Sequence, residues 1–435
     1  MEISNIIFTV LLLAGTILFI IKIREIIFNI RLGQELTITD NKKERFNTML
    51  RVAFGQTKMM ARPLVGLLHF FVYAGFIIIN IEVLEIIIDG IAGTHRVLSF
   101  MGPFYNFLIA SFEILALLVL VGVIVFMVRR AILRIPRFHY REMTTWPKTD
   151  AMIILMTEVL LMCAFLTMNA TDSILQDRNV HHYIDAGSFP VSSFIKPWFE
   201  NMSNEALINI ERGTWWFHII GIIAFLNYLP YSKHLHIVLA FPNTYYSNLN
   251  PKGQFTNNPQ VTNEVKLMMD PSAQAPVAEG PPKRFGAKDV TDLTWKNLMD
   301  AYSCTECGRC SSACPATQTG KLLSPRKIMM DTRDRMEELG KNKKKHGKDH
   351  DDGKSLLGHY ILEEELWACN TCNACVQECP VNIDPLNIIM EMRRYLVMEE
   401  SKNPSELSGM MTNIENNGAP WQFSPSDRLN WKDEV

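Results

Sequence analysis

A chain that enters the hydrocarbon of a bilayer must pair every backbone N–H and C=O internally, so long apolar runs there fold as helices. One crossing takes about 20 mostly apolar residues. Five runs within the first 240 residues qualify: Ile3–Ile23, Pro63–Ile88, Phe104–Val128, Ala151–Met168 and Trp215–Leu239. The fourth is short, and the fifth is interrupted by Pro230 and Lys233. Lys22 and Arg24 follow the first run where a cleaved leader would carry a small-residue site, so it reads as a span.

The basic residues orient these spans. Nine lie between spans one and two, from Lys22 to Arg62, and six between spans three and four, from Arg129 to Lys148. The other two connections hold only Arg96, and then Arg178, Lys196 and Arg212. Lys and Arg collect on the cytoplasmic side. The N-terminus is therefore expected outside, and the polar C-terminal part inside an inner (cytoplasmic) membrane.

That polar part holds eight of the nine cysteines, in CTECGRCSSACP from Cys304 and CNTCNACVQECP from Cys369. Both read C-x2-C-x2-C-x3-C-P. A disulfide framework belongs to small secreted domains and not to a reducing compartment. Zinc commonly uses two separated C-x2-C pairs, which leaves the third cysteine and the Cys-Pro unexplained. Three cysteines at this spacing wrap three corners of a [4Fe-4S] cluster, and the fourth ligates the other cluster of a pair. Cluster I is thus expected on Cys304, Cys307, Cys310 and Cys379, and cluster II on Cys369, Cys372, Cys375 and Cys314. Gly308 is expected to leave space beside a cluster. Each Cys-Pro is followed by a helix start, Ser324-Pro325 and Asp384-Pro385, with an N-cap residue before a first-turn proline. No alternating strand pattern flanks the repeats, so an α-helical ferredoxin type is expected. Residues 287–400 form this unit, 243–286 a linker rich in Asn, Pro, Gly and Ser, and 401–435 a tail.

Ionisable groups within spans are costly and default to function. His218 and His236 are 18 residues apart, five turns of an uninterrupted helix, so they would share a face about 27 Å apart. His69 enters span two at the depth of His236, and His234 would point elsewhere. Facing imidazoles in a bundle make a bis-histidine haem b site, here His69 with His236. Glu82 and Glu85, with Asp89 at the end of span two, are candidate proton carriers to a quinone.

The stretch FHIIGIIAFLNYLPYSKHLHIVLAFP resembles the cytochrome b subunit of respiratory nitrate reductase and of membrane-bound heterodisulfide reductases. That resemblance implies five spans and two stacked haems b. One departure stands out: span two of that pattern carries a second histidine where this chain has Ile79. His218 would then need another partner for an outer haem; His95 is the first candidate, ahead of His181 and His182. Joined to the cysteine repeats, the layout resembles a nitrate reductase gamma-type cytochrome b (residues 1–242) fused to a C-subunit-like domain of heterodisulfide reductase. The implied fold is mainly α, a five-helix transmembrane bundle plus a cytoplasmic α-helical ferredoxin-like domain. The implied role is that of an oxidoreductase's electron-transfer subunit, passing electrons between (mena)quinone, one or two haems b and two [4Fe-4S] clusters. No CCG-type cysteine pair and no glycine-rich nucleotide fingerprint occurs in the sequence. The other terminal is therefore expected on a cytoplasmic partner, a CCG-type iron–sulfur protein or a flavoprotein such as electron-transfer flavoprotein. The near-neutral charge of -2 gives no argument for nucleic-acid binding. A zinc-stabilised membrane anchor without a redox role is the competing expectation.

Overall fold

The computed structural model describes residues 3–251, 253–270, 272 and 284–433. Among these residues it is helical throughout, with no strand beyond two isolated bridges. Four helices are long and apolar enough to cross a membrane: α1 (Ile3–Ile30), α3 (Pro63–Ala92), α4 (Pro103–Ala131) and α5 (Thr145–Asp177). The short α2 (Lys42–Met49) lies between the first two. In sequence order α3, α4, α5 and α6 (Asn204–Tyr228) pack side by side, and α1 closes the bundle against α3 and α6. Val10, Leu13, Ile17 and Leu18 of α1 stay more than half exposed. An apolar face of that kind is tolerated where lipid or another protein covers it.

The fifth expected span is not one helix. Hydrogen bonding of α6 ends at Tyr228, Pro230 sits in a 3-10 turn, and Ser232 is extended (φ -114°, ψ 151°). Proline brings no N–H to continue the ladder. His236 therefore opens a new helix, α7 (His236–Tyr245), and the five-turn spacing from His218 does not apply.

The C-terminal part repeats a loop–helix unit. Loop one leads into α9 (Arg309–Ala313) and α10 (Pro325–His346), after α8 (Trp295–Ser303). Loop two leads into α11 (Ala374–Glu378) and α12 (Pro385–Met398). The pairs α9–α11 and α10–α12 each pack together, as a pseudo-symmetric duplication requires. Asp384 caps α12 through the Asn387 amide at 3.0 Å. Ser324 does not cap α10; its hydroxyl turns instead to Glu142 Oε1 (2.6 Å) and Ser311 (2.7 Å).

This unit is seated on the end of the bundle. Ile26, Leu235 and Ala240 share one apolar cluster with Leu298, Ile328 and Met392. Asn29 donates to Tyr302 Oη (2.9 Å), and Asn243, at the expected start of the linker, donates to the Val381 carbonyl (2.9 Å). Residues 252, 271 and 273–283 of that linker lie outside the described residues.

Candidate functional site

The two cysteine loops take the same backbone path. Glu306 and Gly308 have φ of 52° and 71°, and the equivalent Thr371 and Asn373 have 52° and 60°. Left-handed residues at matching places curl each loop around a point, and glycine and asparagine tolerate that conformation best. All eight thiols are free of disulfides. Cys379 lies in the electrostatic neighbourhood of Cys304 and Cys307, while Cys314 lies beside Cys369 and Cys375. Cys310 has both Cys379 and Cys375 near it, so the two cysteine loops lie close together. Among the described residues no three His, Cys, Asp or Glu groups close around a single-ion site; a four-iron cluster, whose corners are separate irons, needs no such convergence.

Burial pushes the Cys304 thiol up to about 11 and the Cys379 thiol to about 12. Thiols so placed become thiolates by coordinating a metal, whose binding displaces their protons. Two backbone amides already point at sulfur, Ile383 N to Cys379 at 3.3 Å and Thr371 N to Cys369 at 3.4 Å. Hydrogen bonds of this kind tune cluster potential. Gly308 does not make room for a cluster as expected: a Cβ there would strike the guanidinium of Arg326. Arg326, fully buried, binds Glu142 Oε1 (2.6 Å) and the carbonyl of Arg137 (2.7 Å).

Against loop one, inside the bundle, lies a cavity of about 490 Å3. His69, His218, His234 and His236 line it, together with Cys307 and Arg309. His234 thus faces the site and does not point elsewhere. His69 Nδ1 lies 2.9 Å from Gln56 Oε1, His236 Nδ1 3.0 Å from the Lys233 carbonyl, and His218 Nδ1 3.0 Å from the Leu161 carbonyl. An oxygen acceptor at Nδ1 fixes the tautomer and leaves Nε2 for a metal, the usual arrangement of a ligating histidine. Two guanidinium nitrogens lining the cavity, Arg137 Nε and Arg309 Nη2, are buried without a hydrogen-bond partner among the described residues. Such orphaned donors seek an anion. Imidazoles for an iron and cations for carboxylates are what haem b requires, so these residues fit the group.

The outer pair does not form. After α3, Gly93 (φ 76°) turns the chain back, but His95 meets α5: its Nε2 lies 3.2 Å from Asp172 and its Nδ1 accepts the Ile184 amide at 3.3 Å. His95 lines a different cavity from His218, with His181 and His182. Glu82 and Glu85 are buried beside that second cavity. Glu85 accepts from the Leu98 amide and the Tyr105 hydroxyl, both at 2.9 Å, and so braces a loop.

Sequence reasoning missed the charged tie between the halves. Lys233 is buried and reaches Glu306 Oε2 (2.5 Å) and Asp150 (3.7 Å), and Arg333 holds the other Glu306 oxygen at 2.7 Å. The only signal was a lysine inside an apolar run.

The comparisons bear on the cysteine region and on the class of protein. A family model for a 4Fe-4S dicluster domain matches residues 300–383, which contain all eight motif cysteines. The chain is similar to a probable iron-sulfur-binding oxidoreductase, FadF, of Bacillus subtilis, at 29% identity over 96% of this chain and 59% of that protein. It is similar to the EtfAB:quinone oxidoreductase of Syntrophomonas wolfei, at 27% identity over 92% of this chain and 55% of that one. The cysteine region is 33% identical to the C subunit of a ferredoxin/F420H2-dependent CoB-CoM heterodisulfide reductase of Methanosarcina acetivorans, over 26% of this chain and 56% of that relative. No solved structure matches. The chain spans little more than half the length of its two long relatives, and the likeness supports an iron–sulfur protein of oxidoreductase type with a redox role.

Proposed function

We propose that this chain is the membrane subunit of a quinone-linked oxidoreductase complex, passing electrons between (mena)quinone, haem b and two [4Fe-4S] clusters to or from a cytoplasmic partner. When bound, the haem and the clusters supply one-electron relay. The observation that carries the reading is the first cavity: imidazoles with tethered Nδ1 atoms face it, and the loop bearing Cys307 forms part of its wall. His69 and His236 are the ligands we assign to the haem, with Arg137 and Arg309 holding its carboxylates. His234, on the same wall, is a neighbour that excludes water. Cys304, Cys307, Cys310 and Cys379 hold cluster I, and Cys369, Cys372, Cys375 and Cys314 hold cluster II. The basic connections support a cytoplasmic position for this junction. The relative from Syntrophomonas wolfei, named for EtfAB and quinone, supports a flavoprotein partner and a quinone.

A dithionite-reduced minus oxidised spectrum of the purified chain tests this. A b-type α band with broad iron–sulfur bleaching supports the reading. A featureless spectrum with stoichiometric zinc overturns it and favours an anchor without redox function.

A further inference from the structure

The second cavity, of about 530 Å3, lies between α1, α3, α5 and α6 at the end of the bundle away from the cysteines. Part of its lining is aromatic: Phe8, Trp215 and Trp216 sit with ring centroids 5.2 to 6.2 Å apart. Some of its polar groups are committed to each other: Arg96 Nε donates to Asp172 Oδ2 (2.7 Å), and Glu211 accepts the Tyr183 hydroxyl at 3.1 Å. Among the described residues nothing hydrogen-bonds two carboxyl oxygens on its wall, Asp172 Oδ1 and Glu82 Oε2. Asp172 keeps Arg96 and His95 as charged neighbours, His95 Nε2 at 3.2 Å. Glu82 is 3% exposed and has no ion pair among the described residues. A buried carboxyl oxygen without a partner costs free energy, so a ligand that supplies one has a reason to bind here.

The two cavities lie a helical turn apart. On α3, Ile79 and Val83 line the first and Glu82 and Ile86 the second; on α6, His218 lines the first and Trp215 the second. We propose that the second cavity binds the headgroup of a membrane quinone or hydroquinone, stacked on the Phe8–Trp215–Trp216 wall and hydrogen-bonded through one ring oxygen to the Glu82 carboxyl. A carboxyl serves both forms, since it accepts from a hydroquinone hydroxyl and, when protonated, donates to a quinone carbonyl. Placement among the spans gives access to a lipid-borne ring, and adjacency to the first cavity gives the electrons somewhere to go. The assignment rests on the redox reading proposed above, which it extends by locating the quinone.

The test uses the full chain in detergent, titrated with 2-heptyl-4-hydroxyquinoline N-oxide, a flat bicyclic quinone analogue whose fluorescence is quenched on binding. Saturable binding is expected. It should weaken about 10-fold in Glu82→Leu, the loss of one hydrogen bond in a dry site, with partial recovery in Glu82→Gln. Trp216→Ala should weaken it comparably. Leucine relieves a buried carboxyl and so does not threaten folding, and the reduced-minus-oxidised spectrum of each variant checks this. Equal affinity in wild type and variants, or no binding by protein that shows its haem and cluster bands, overturns the site and leaves the redox reading standing. Binding that Glu82→Leu weakens in protein with no haem band supports the site and overturns the haem.

Discussion

Three imidazoles, of His69, His218 and His236, each spend one nitrogen on an oxygen and turn the other edge toward a shared cavity. For His69 the oxygen belongs to the Gln56 side chain, which makes the tether testable. Gln56→Leu should lower haem affinity about 10- to 100-fold, the usual effect of removing such an outer partner, as read by haem titration of the apoprotein; unchanged affinity would contradict His69 as a ligand. Among the cysteines, Cys314→Ser should remove the cluster signal that Cys375→Ser removes and spare the other, because Cys314 neighbours Cys369 and Cys375. Electron paramagnetic resonance of the reduced protein decides this, and loss of the Cys310-dependent signal instead would refute crossed ligation. The two-cluster cysteine domain was legible because its spacing is local and repeated. The Nδ1 acceptors were not: Leu161 is 57 residues from His218, and no spacing rule reaches that far.

At the scale of elements, the break between α6 and α7 is what brings His234 and His236 to the first cavity. Five apolar runs were read from length alone, and four became single helices; the fifth failed at Pro230 and Lys233, the two residues that interrupt it. Lys233 turned out to be a tie, with its ammonium on Glu306 and Asp150. Lys233→Met should destabilise the protein by about 3 kcal/mol, since a buried pair broken on one side leaves uncompensated charge. Thermal unfolding in detergent would show this as a clear fall in midpoint, and an unmoved midpoint would show that the tie carries nothing. Gly308 and Gly320 offer a matched pair, with φ of 71° and 80°. A Cβ at Gly320 meets open space, whereas one at Gly308 meets Arg326. Gly320→Ala should cost about 1 kcal/mol of backbone strain; Gly308→Ala should cost more and also lower the iron content. Equal effects would mean that Arg326 yields freely. The left-handed positions could be anticipated from the glycine, but their occupant was a residue 18 positions away in sequence, beyond local rules.

The whole molecule is one continuous path of packing from bundle to cysteines. Ile26, Leu235 and Ala240 share a core with the C-terminal part, and Cys307 lines the same cavity as His69 and His236. Composition and hydropathy read an apolar part and a polar one joined by a tether, whereas the structure has an interface there, with contacts such as Asn29 to Tyr302 joining residues 273 apart. The histidine expected to complete an outer haem, His95, was drawn off by Asp172 for the same reason: its partner lies on another helix. The central claim is that the bundle and the cysteine domain form one redox unit. A dithionite-reduced minus oxidised spectrum of the purified chain, paired with that of His236→Ala, addresses it most directly. The account predicts a b-type α band and iron–sulfur bleaching in the wild type, with the band lost and the bleaching kept in the variant. A wild-type spectrum without either feature, or a variant that retains the full α band, would contradict it.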